Sequence, residues 1–451
     1  MPPHLEGPAY RDTIFAVASG AGRAAIAIVR ISGPAVAAAL RALRIGALSD
    51  RVATLRTLRD PQTLEALDRA IVLRFCGPRS FTGEQMAELH LTGSRAVLAG
   101  VISALGKVSG VRPAEPGEFA WRAFANGKLD LSEVEGLADL VVAETSAQRR
   151  QALRVAGGAL SREADGIRAL LVRAMSTLEA LIDFSDIDGV NSLMLADARD
   201  LALQALQRIR SILASSQMGE RLRDGLNIII AGAPNVGKST LMNVISKREV
   251  SIVTPTPGTT RDIIELSLDI KGYPVTLVDT AGIRDTDDPV EREGVERARR
   301  RLKDADLTLW LTECGTPLVR GSDVAGATIL VNTKSDQSST ATDVDLPGMI
   351  SSLRISARTG EGVSRLLDEI ACFAASQFDG SAAALITTER HKIAFSDAES
   401  ALARLIHSEL GALELAAEDL RLAARAMERI AGRIDVNEVL GTIFSRFCVG
   451  K

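Results

Sequence analysis

Gly232-Ala-Pro-Asn-Val-Gly-Lys238-Ser239 is the stretch that decides the reading of this 451-residue chain. It fits the pattern Gly-x-x-x-x-Gly-Lys-Ser/Thr, and its setting is the one that pattern needs. Leu226 to Ile230, just before it, is a short apolar, β-branched run typical of a buried strand. Thr240-Leu-Met-Asn-Val-Ile, just after it, has helical character. Glycines at both ends let the backbone wrap closely around a phosphate, with amide N–H groups turned inward and a helix N-terminus behind them. Asn235, Val236, Gly237 and Thr240 would belong to that cradle. Lys238 would place its point charge on the β- and γ-phosphates, and the Ser239 hydroxyl would hold Mg²⁺.

Further pieces follow in the order that GTP chemistry needs. Thr254-Pro255-Thr256-Pro257-Gly258-Thr259-Thr260 is a Pro/Gly-rich loop able to order over a γ-phosphate, with Thr260 as second Mg²⁺ ligand. Val275 to Val278 reads as a strand ending in Asp279-Thr280-Ala281-Gly282, where an acid can hold the metal's water shell and a Gly amide can meet the γ-phosphate. Ala327 to Val331 is another strand, leading into Thr333-Lys334-Ser335-Asp336. Ser356-Ala357-Arg358 follows the apolar Leu353 to Ile355. An aspartate such as Asp336 can accept both the ring N1–H and the 2-amino group of guanine, which adenine does not offer. The usual Asn-Lys-x-Asp is here Thr-Lys-x-Asp, with Asn332 one place early. Together these elements imply a domain that binds and hydrolyses GTP.

Composition sets the bounds. The chain is 46% hydrophobic and 24% charged, without an apolar run as long as a membrane span or an N-terminal signal-peptide pattern. Cys76, Cys314, Cys372 and Cys448 are scattered, so neither a disulfide framework nor a zinc site is expected, and a cytoplasmic location is. A net charge of −4 and 3% aromatic residues give no global signature of nucleic-acid binding. The basic run from Arg297 to Lys303 reads as a solvated helix face.

Residues from about Asp12 to Pro116 mix strands (Ala25 to Ile31, Ala70 to Phe75) with helices (Pro34 to Leu43, Ser94 to Lys107), an α+β pattern. No proline separates Pro116 from Pro234, and none follows Pro347. Ile167, Leu170, Leu171, Ala174, Leu178 and Leu181 recur at helical spacing, as do Leu402, Leu405, Ile406 and Leu413. The expected fold is multidomain α/β. An N-terminal α+β domain spans 1–118 and a split helical domain spans 119–222 and 374–451. A P-loop, Ras-like GTPase domain is inserted at 223–373. Two unrelated helical domains are the alternative.

These motifs, together with Phe447-Cys-Val-Gly-Lys451, resemble the bacterial tRNA modification GTPase family MnmE (TrmE) along essentially the whole chain. Asp12-Thr-Ile14, Arg30-Ile-Ser-Gly33, Phe81-Thr-Gly-Glu84, Glu115-Pro-Gly-Glu-Phe119 and Asn126-Gly-Lys-Leu-Asp130 carry the resemblance in the first domain. It implies a homodimer that acts with a flavin-binding, MnmG-like partner on the wobble uridine (U34) of certain tRNAs. The reaction installs an aminomethyl or carboxymethylaminomethyl group at C5. The implied one-carbon donor is a 5-formyl- or 5,10-methylene-tetrahydrofolate surrounded by Arg30, Glu84, Lys128 and Lys451. A carboxylate suits the pterin's donors, and cations suit the folate tail. Gln85 and Leu91-Thr-Gly-Ser94 depart from the family's usual residues there.

For hydrolysis, Ile283 stands where other small GTPases carry a water-orienting Gln. The nearby carboxylates lie in Asp285 to Glu291, and the resemblance implies that Glu291 positions the water. It also implies a K⁺ ion held by Asn235, Thr254, Thr256 and Thr259, which would neutralise developing charge as an arginine finger does. A ribosome-assembly GTPase would share the P-loop but would add a basic RNA-binding domain. A GTP-switched scaffold would lack the N-terminal signatures.

Overall fold

A computed structural model describes residues 12–20, 22–183, 191–247, 265–279, 305–316, 326–338, 348–378, 384–407, 413–432 and 450. The described strands are β1 (Thr13–Val17), β2 (Ile26–Ser32), β3 (Thr54–Arg59), β4 (Ala66–Phe75), β5 (Met86–Thr92) and β6 (Val111–Pro113) in the N-terminal part. Then come β7 (Leu226–Gly232), β8 (Glu265–Ile270), β9 (Tyr273–Asp279), β10 (Leu307–Glu313), β11 (Thr328–Thr333) and β12 (Met349–Arg354). The described helices are α1 (Val36–Ala42), α2 (Arg95–Gly106), α3 (Glu118–Ala125), α4 (Leu131–Val142), α5 (Ser146–Ala156) and α6 (Ala159–Asp183). They continue as α7 (Asn191–Ala214), α8 (Ser216–Asp224), α9 (Lys238–Lys247), α10 (Val363–Gln377), α11 (Glu389–His407) and α12 (Leu413–Ala431). Two compact units result, one formed by 1–138, 155–205 and 400–451 and the other by 139–154 and 206–399.

In the first unit, six strands lie in the order β3-β4-β5-β2-β1-β6, antiparallel except for the parallel β1–β6 pair. The period-2 alternation of β2 sends Val29 and Ile31 into a core with Leu40 and Leu43 of the α1 segment and Val101 and Leu105 of α2. The Ser94 side chain caps α2 by accepting from the Val97 N–H at 3.2 Å.

The helical part joins residues from the two sequence flanks. On α6 the fully or nearly fully buried Leu160, Ala164, Ile167, Leu171, Ala174, Leu178 and Leu181 step alternately by four and three. On α12, Ala416, Leu420, Ala423, Met427 and Ile430 repeat the same step. That is the spacing of a left-handed helix–helix seam, and the alanines of α12 allow close approach. Arg168–Glu428 (2.5 Å) and Arg421–Glu179 (3.2 Å) flank the seam. Helices from either side of the nucleotide segment, α6 and α12, therefore pack on one another.

In the second unit the order is β12-β11-β10-β7-β9-β8, parallel except for β8, which runs antiparallel to β9. Ile228, Ile230, Leu309, Leu311, Ile329 and Val331 fill the centre between α9 and α10. In such a sheet, ligands bind beyond the C-terminal strand ends. At the opposite end of β9 the β8–β9 turn reaches α5, where the Ala147 N–H donates to the Gly272 carbonyl at 3.1 Å. Among the described residues no helix is long and apolar enough to cross a membrane.

Candidate functional site

The phosphate loop leaves β7 with three residues at positive φ: Gly232 at 143°, Asn235 at 61° and Gly237 at 106°. Gly232 is required by a close approach, since a Cβ there would run into the carbonyl oxygen of Leu311 on β10. Asn is among the residue types that tolerate the left-handed region. The turn delivers Lys238 and Ser239 at the N-terminus of α9. Lys238 is 8% exposed, and its ammonium donates to the carbonyls of Gly232 and Ala233, both at 2.9 Å. Burial pushes its pKa down, and the charge of Asp279 opposes that only in part. An anion in the loop would offer that cation a stronger partner than two carbonyls.

Asp279 ends β9 opposite Ile230 of β7, which brings it beside the loop. Its Oδ2 accepts from the Ser239 hydroxyl at 2.9 Å. Two hard oxygens side by side are a donor set that fits Mg²⁺. Among the described residues no cluster of three or more His, Cys, Asp or Glu makes any other metal site.

The loop that follows β11 is tied to the loop that follows β7 through Thr333. Its hydroxyl lies 2.8 Å from the carbonyl oxygen of Val236 and 3.1 Å from that of Thr312, so its one proton serves the phosphate loop or β10. The replacement of the usual Asn by Thr thus keeps a link between the two loops. Asn332 is instead buried in the sheet, where its amide donates to Ser352 Oγ at 3.2 Å. Lys334, at φ 56°, pairs with Glu313 at 2.7 Å. The Ser335 N–H donates to the Ile355 carbonyl at 3.1 Å. Ser356, fully buried, donates its hydroxyl to Asp336 Oδ1 at 2.7 Å and accepts from the Thr359 N–H at 3.2 Å. Asp336 is exposed but oriented, and Ala357 and Arg358 follow in the adjoining turn.

The structure thus brings together Asn235, Val236, Gly237, Lys238, Ser239 and Thr240 at the phosphate end, with Asp279. Thr333, Lys334, Ser335, Asp336, Ser356, Ala357 and Arg358 lie at the end of β11 and in the adjoining loops that follow β11 and β12. Thr254, Pro255, Thr256, Pro257, Gly258, Thr259, Thr260, Thr280, Ala281, Gly282, Glu291 and Lys451 lie outside the described residues, as do the basic run 297–303 and Cys448.

In the first unit, Arg30 of β2 pairs with Glu88 of β5 at 3.0 Å, and its guanidinium sits 5.3 Å from the Phe81 ring centroid and 5.8 Å from that of Phe119. Glu84 accepts from the Ser32 hydroxyl at 2.7 Å and from Arg122, whose Nη1 is 3.3 Å from both carboxylate oxygens. Lys128 is exposed, and its stem lies against Gly83. Gly450 is buried against the Val17 carbonyl and Ala18, too close for a Cβ, so the residue before Lys451 meets the end of β1.

Sequence reasoning missed the group beneath Glu84. Arg122 is 0% exposed and pairs with Glu118 at 2.8 Å and Asp12 at 2.9 Å. Arg112 grips the same two acids, bidentate to Glu118 at 2.7 and 2.8 Å and at 2.6 Å to Asp12. Burial pushes the Glu118 carboxyl up, but Arg112, the Glu115 N–H and Arg122 together hold it below the usual range. Burial likewise raises Asp12, and Arg112 and Arg122 outweigh it. The i,i+4 spacing of Glu118 and Arg122 was the available signal.

Two family models match the chain, "MnmE helical domain" over residues 131–448 and "GTP-binding protein TrmE N-terminus" over residues 13–128. A tRNA modification GTPase MnmE of Beijerinckia indica is 49% identical over 450 residues, covering 100% of this chain and 98% of that one. The MnmE of Bradyrhizobium sp. (strain ORS 278) is 48% identical, covering 98% of this chain and 99% of that one. The MnmE of Methylobacterium sp. (strain 4-46) is 48% identical, covering 98% and 100%. The chain belongs to the MnmE (TrmE) family of tRNA modification GTPases.

Proposed function

We propose that this chain hydrolyses GTP in the modification of the tRNA wobble uridine at C5, as a homodimer acting in the cytoplasm with a flavin-binding, MnmG-like partner. The observation that carries the reading is the joining of phosphate loop, Asp279 and base-reading loop at the C-terminal ends of β7, β9 and β11, in a chain 49% identical to an MnmE over its full length.

At those strand ends the loop amides and Lys238 bind the β- and γ-phosphates, and Asp336 reads guanine with its carboxylate held by Ser356. Ser239 and Asp279, with Thr260, suit a Mg²⁺ ion, and Asn235, with Thr254, Thr256 and Thr259, suits K⁺. Bound there, the two ions would supply positive charge against the charge that develops on the phosphates. Glu291 orients the attacking water, since Ile283 stands where a Gln would do so. The first domain takes a tetrahydrofolate derivative as one-carbon donor, with Glu84 toward the pterin and Arg30, Lys128 and Lys451 around the rest. Gly450 against β1 supports that assignment, because it brings the chain's end to the unit that carries Glu84 and Arg30.

Nucleoside analysis of tRNA from cells lacking the protein tests the reading. The C5-modified wobble uridine should vanish while ribosome profiles stay normal. Intact modification with defective ribosome assembly would overturn it.

A further inference from the structure

Glu84 is held from below by a residue no bound molecule can reach. Its carboxylate takes the Ser32 hydroxyl at 2.7 Å on Oε2 and the Arg122 guanidinium at 3.3 Å on both oxygens. Its backbone is fixed as well, with Ser80 Oγ donating to the Glu84 carbonyl at 2.5 Å and the Glu84 N–H donating to Thr82 Oγ1 at 3.3 Å. Arg122 is itself locked by Glu118 and Asp12, which Arg112 grips from the other side. Four neighbouring strands feed this group. Asp12 precedes β1, Ser32 ends β2, Glu84 precedes β5 and Arg112 lies on β6, while Glu118 and Arg122 share α3. The Glu84 side chain keeps 15% exposure and Arg122 keeps none. A carboxylate has about four lone-pair positions, so Glu84 retains capacity for donors from outside.

We infer that Arg122, with Ser32, is a positioning residue for Glu84, fixing its carboxylate to receive a pair of N–H donors such as a pterin ring presents. The inference rests on the folate reading of the first domain and extends it to a residue that cannot touch the folate. A carboxylate on a free glutamate side chain samples several rotamers, whereas one clamped by a buried cation and a hydroxyl is pre-oriented for a bidentate contact. The second guanidinium, on Arg112, has a separate part. It pairs with the acids that would otherwise turn Arg122 away from Glu84, so both charges of Glu118 and Asp12 are shared between two cations.

The test is titration of the purified full-length chain with 5-formyltetrahydrofolate, with thermal unfolding of each sample as the control for folding. Arg122→Lys keeps the charge and loses the fork, and should weaken binding about tenfold. Ser32→Ala removes one hydroxyl without stranding a buried charge, so it should fold, and should weaken binding about fivefold. In a Glu84→Gln background, already weak, Ser32→Ala should add less than about twofold, because its effect passes through Glu84. A structural role would lower affinity in both backgrounds alike, and that result overturns the inference. So does wild-type affinity in both Ser32→Ala and Arg122→Lys. A wild-type chain that does not bind the folate overturns the folate reading itself, a result distinct from either of these.

Discussion

The Thr333 hydroxyl lies 2.8 Å from the carbonyl oxygen of Val236, so the loop proposed to read the base is bonded to the loop proposed to hold the phosphates. Thr333→Val keeps the shape and removes the bond. It should weaken guanine nucleotide binding about fivefold, the worth of one hydrogen bond of about 1 kcal/mol. Thr333→Ser should stay within about twofold of the parent. Dissociation of a fluorescent GDP analogue measures both, and equal rates in the Val variant would show that the link carries no affinity.

Asp336 accepts from Ser356 on Oδ1 at 2.7 Å, which leaves Oδ2 and a lone pair of Oδ1 for two donors of a base. Asp336→Asn replaces an acceptor with an amide that also donates. The variant should lose GTP affinity and gain affinity for xanthosine triphosphate, read in a nucleotide competition assay. Unchanged guanine preference would remove Asp336 from the base site.

GTP turnover should be much faster in KCl than in NaCl at equal ionic strength. Asn235→Ala should erase most of that difference, since the amide oxygen at φ 61° in the loop would be the protein ligand lost. Equal rates in the two salts would direct attention to an arginine instead.

The network under Glu84 makes a pH prediction. Folding holds the Glu118 and Asp12 carboxyls below their ordinary values of 4.5 and 3.8. Their contribution to stability is therefore present above those values and is lost as pH falls through the lower folded ones. Glu118→Gln strands charge on two guanidinium groups and should cost about 3 kcal/mol at pH 7. The gap in melting temperature between variant and parent should narrow as pH drops below about 4. A gap constant from pH 7 to pH 3 would mean that packing alone, and not charge, is lost.

Much of the nucleotide domain was legible because its signals are local. Leu226 to Ile230 and Val275 to Val278 are apolar runs beside loops whose residue types admit few readings, and both became strands of the central sheet. β8 and β10 were not picked out. β8 is a strand at the sheet's rim whose Leu266, Leu268 and Ile270 alternate with polar residues, and no chemical motif marks either one. The α6 side of the seam was visible as spacing, but the spacing read on the second flank, Leu402, Leu405 and Ile406, belongs to α11, and the α12 side was not picked out because the partnership of α6 and α12 is tertiary. Of the Asp12–Arg112–Glu118–Arg122–Glu84 network only the i,i+4 pair of Glu118 and Arg122 leaves a mark in the sequence, for the same reason. Its members are spread over 110 residues, and each alone reads as an ordinary surface charge. Burial turns them into one group, and burial is not written in any short stretch.

The proposed coupling of GTP hydrolysis in this chain to the modification of tRNA is tested by complementation. Cells lacking the protein are complemented with the parent chain or with Glu291→Ala, a variant expected to bind GTP while its turnover falls by about 10²-fold or more. The C5-modified wobble uridine is then quantified in their tRNA. Full restoration is expected from the parent and little or none from Glu291→Ala at equal protein level. Equal restoration by a variant shown to be inert in hydrolysis would contradict it.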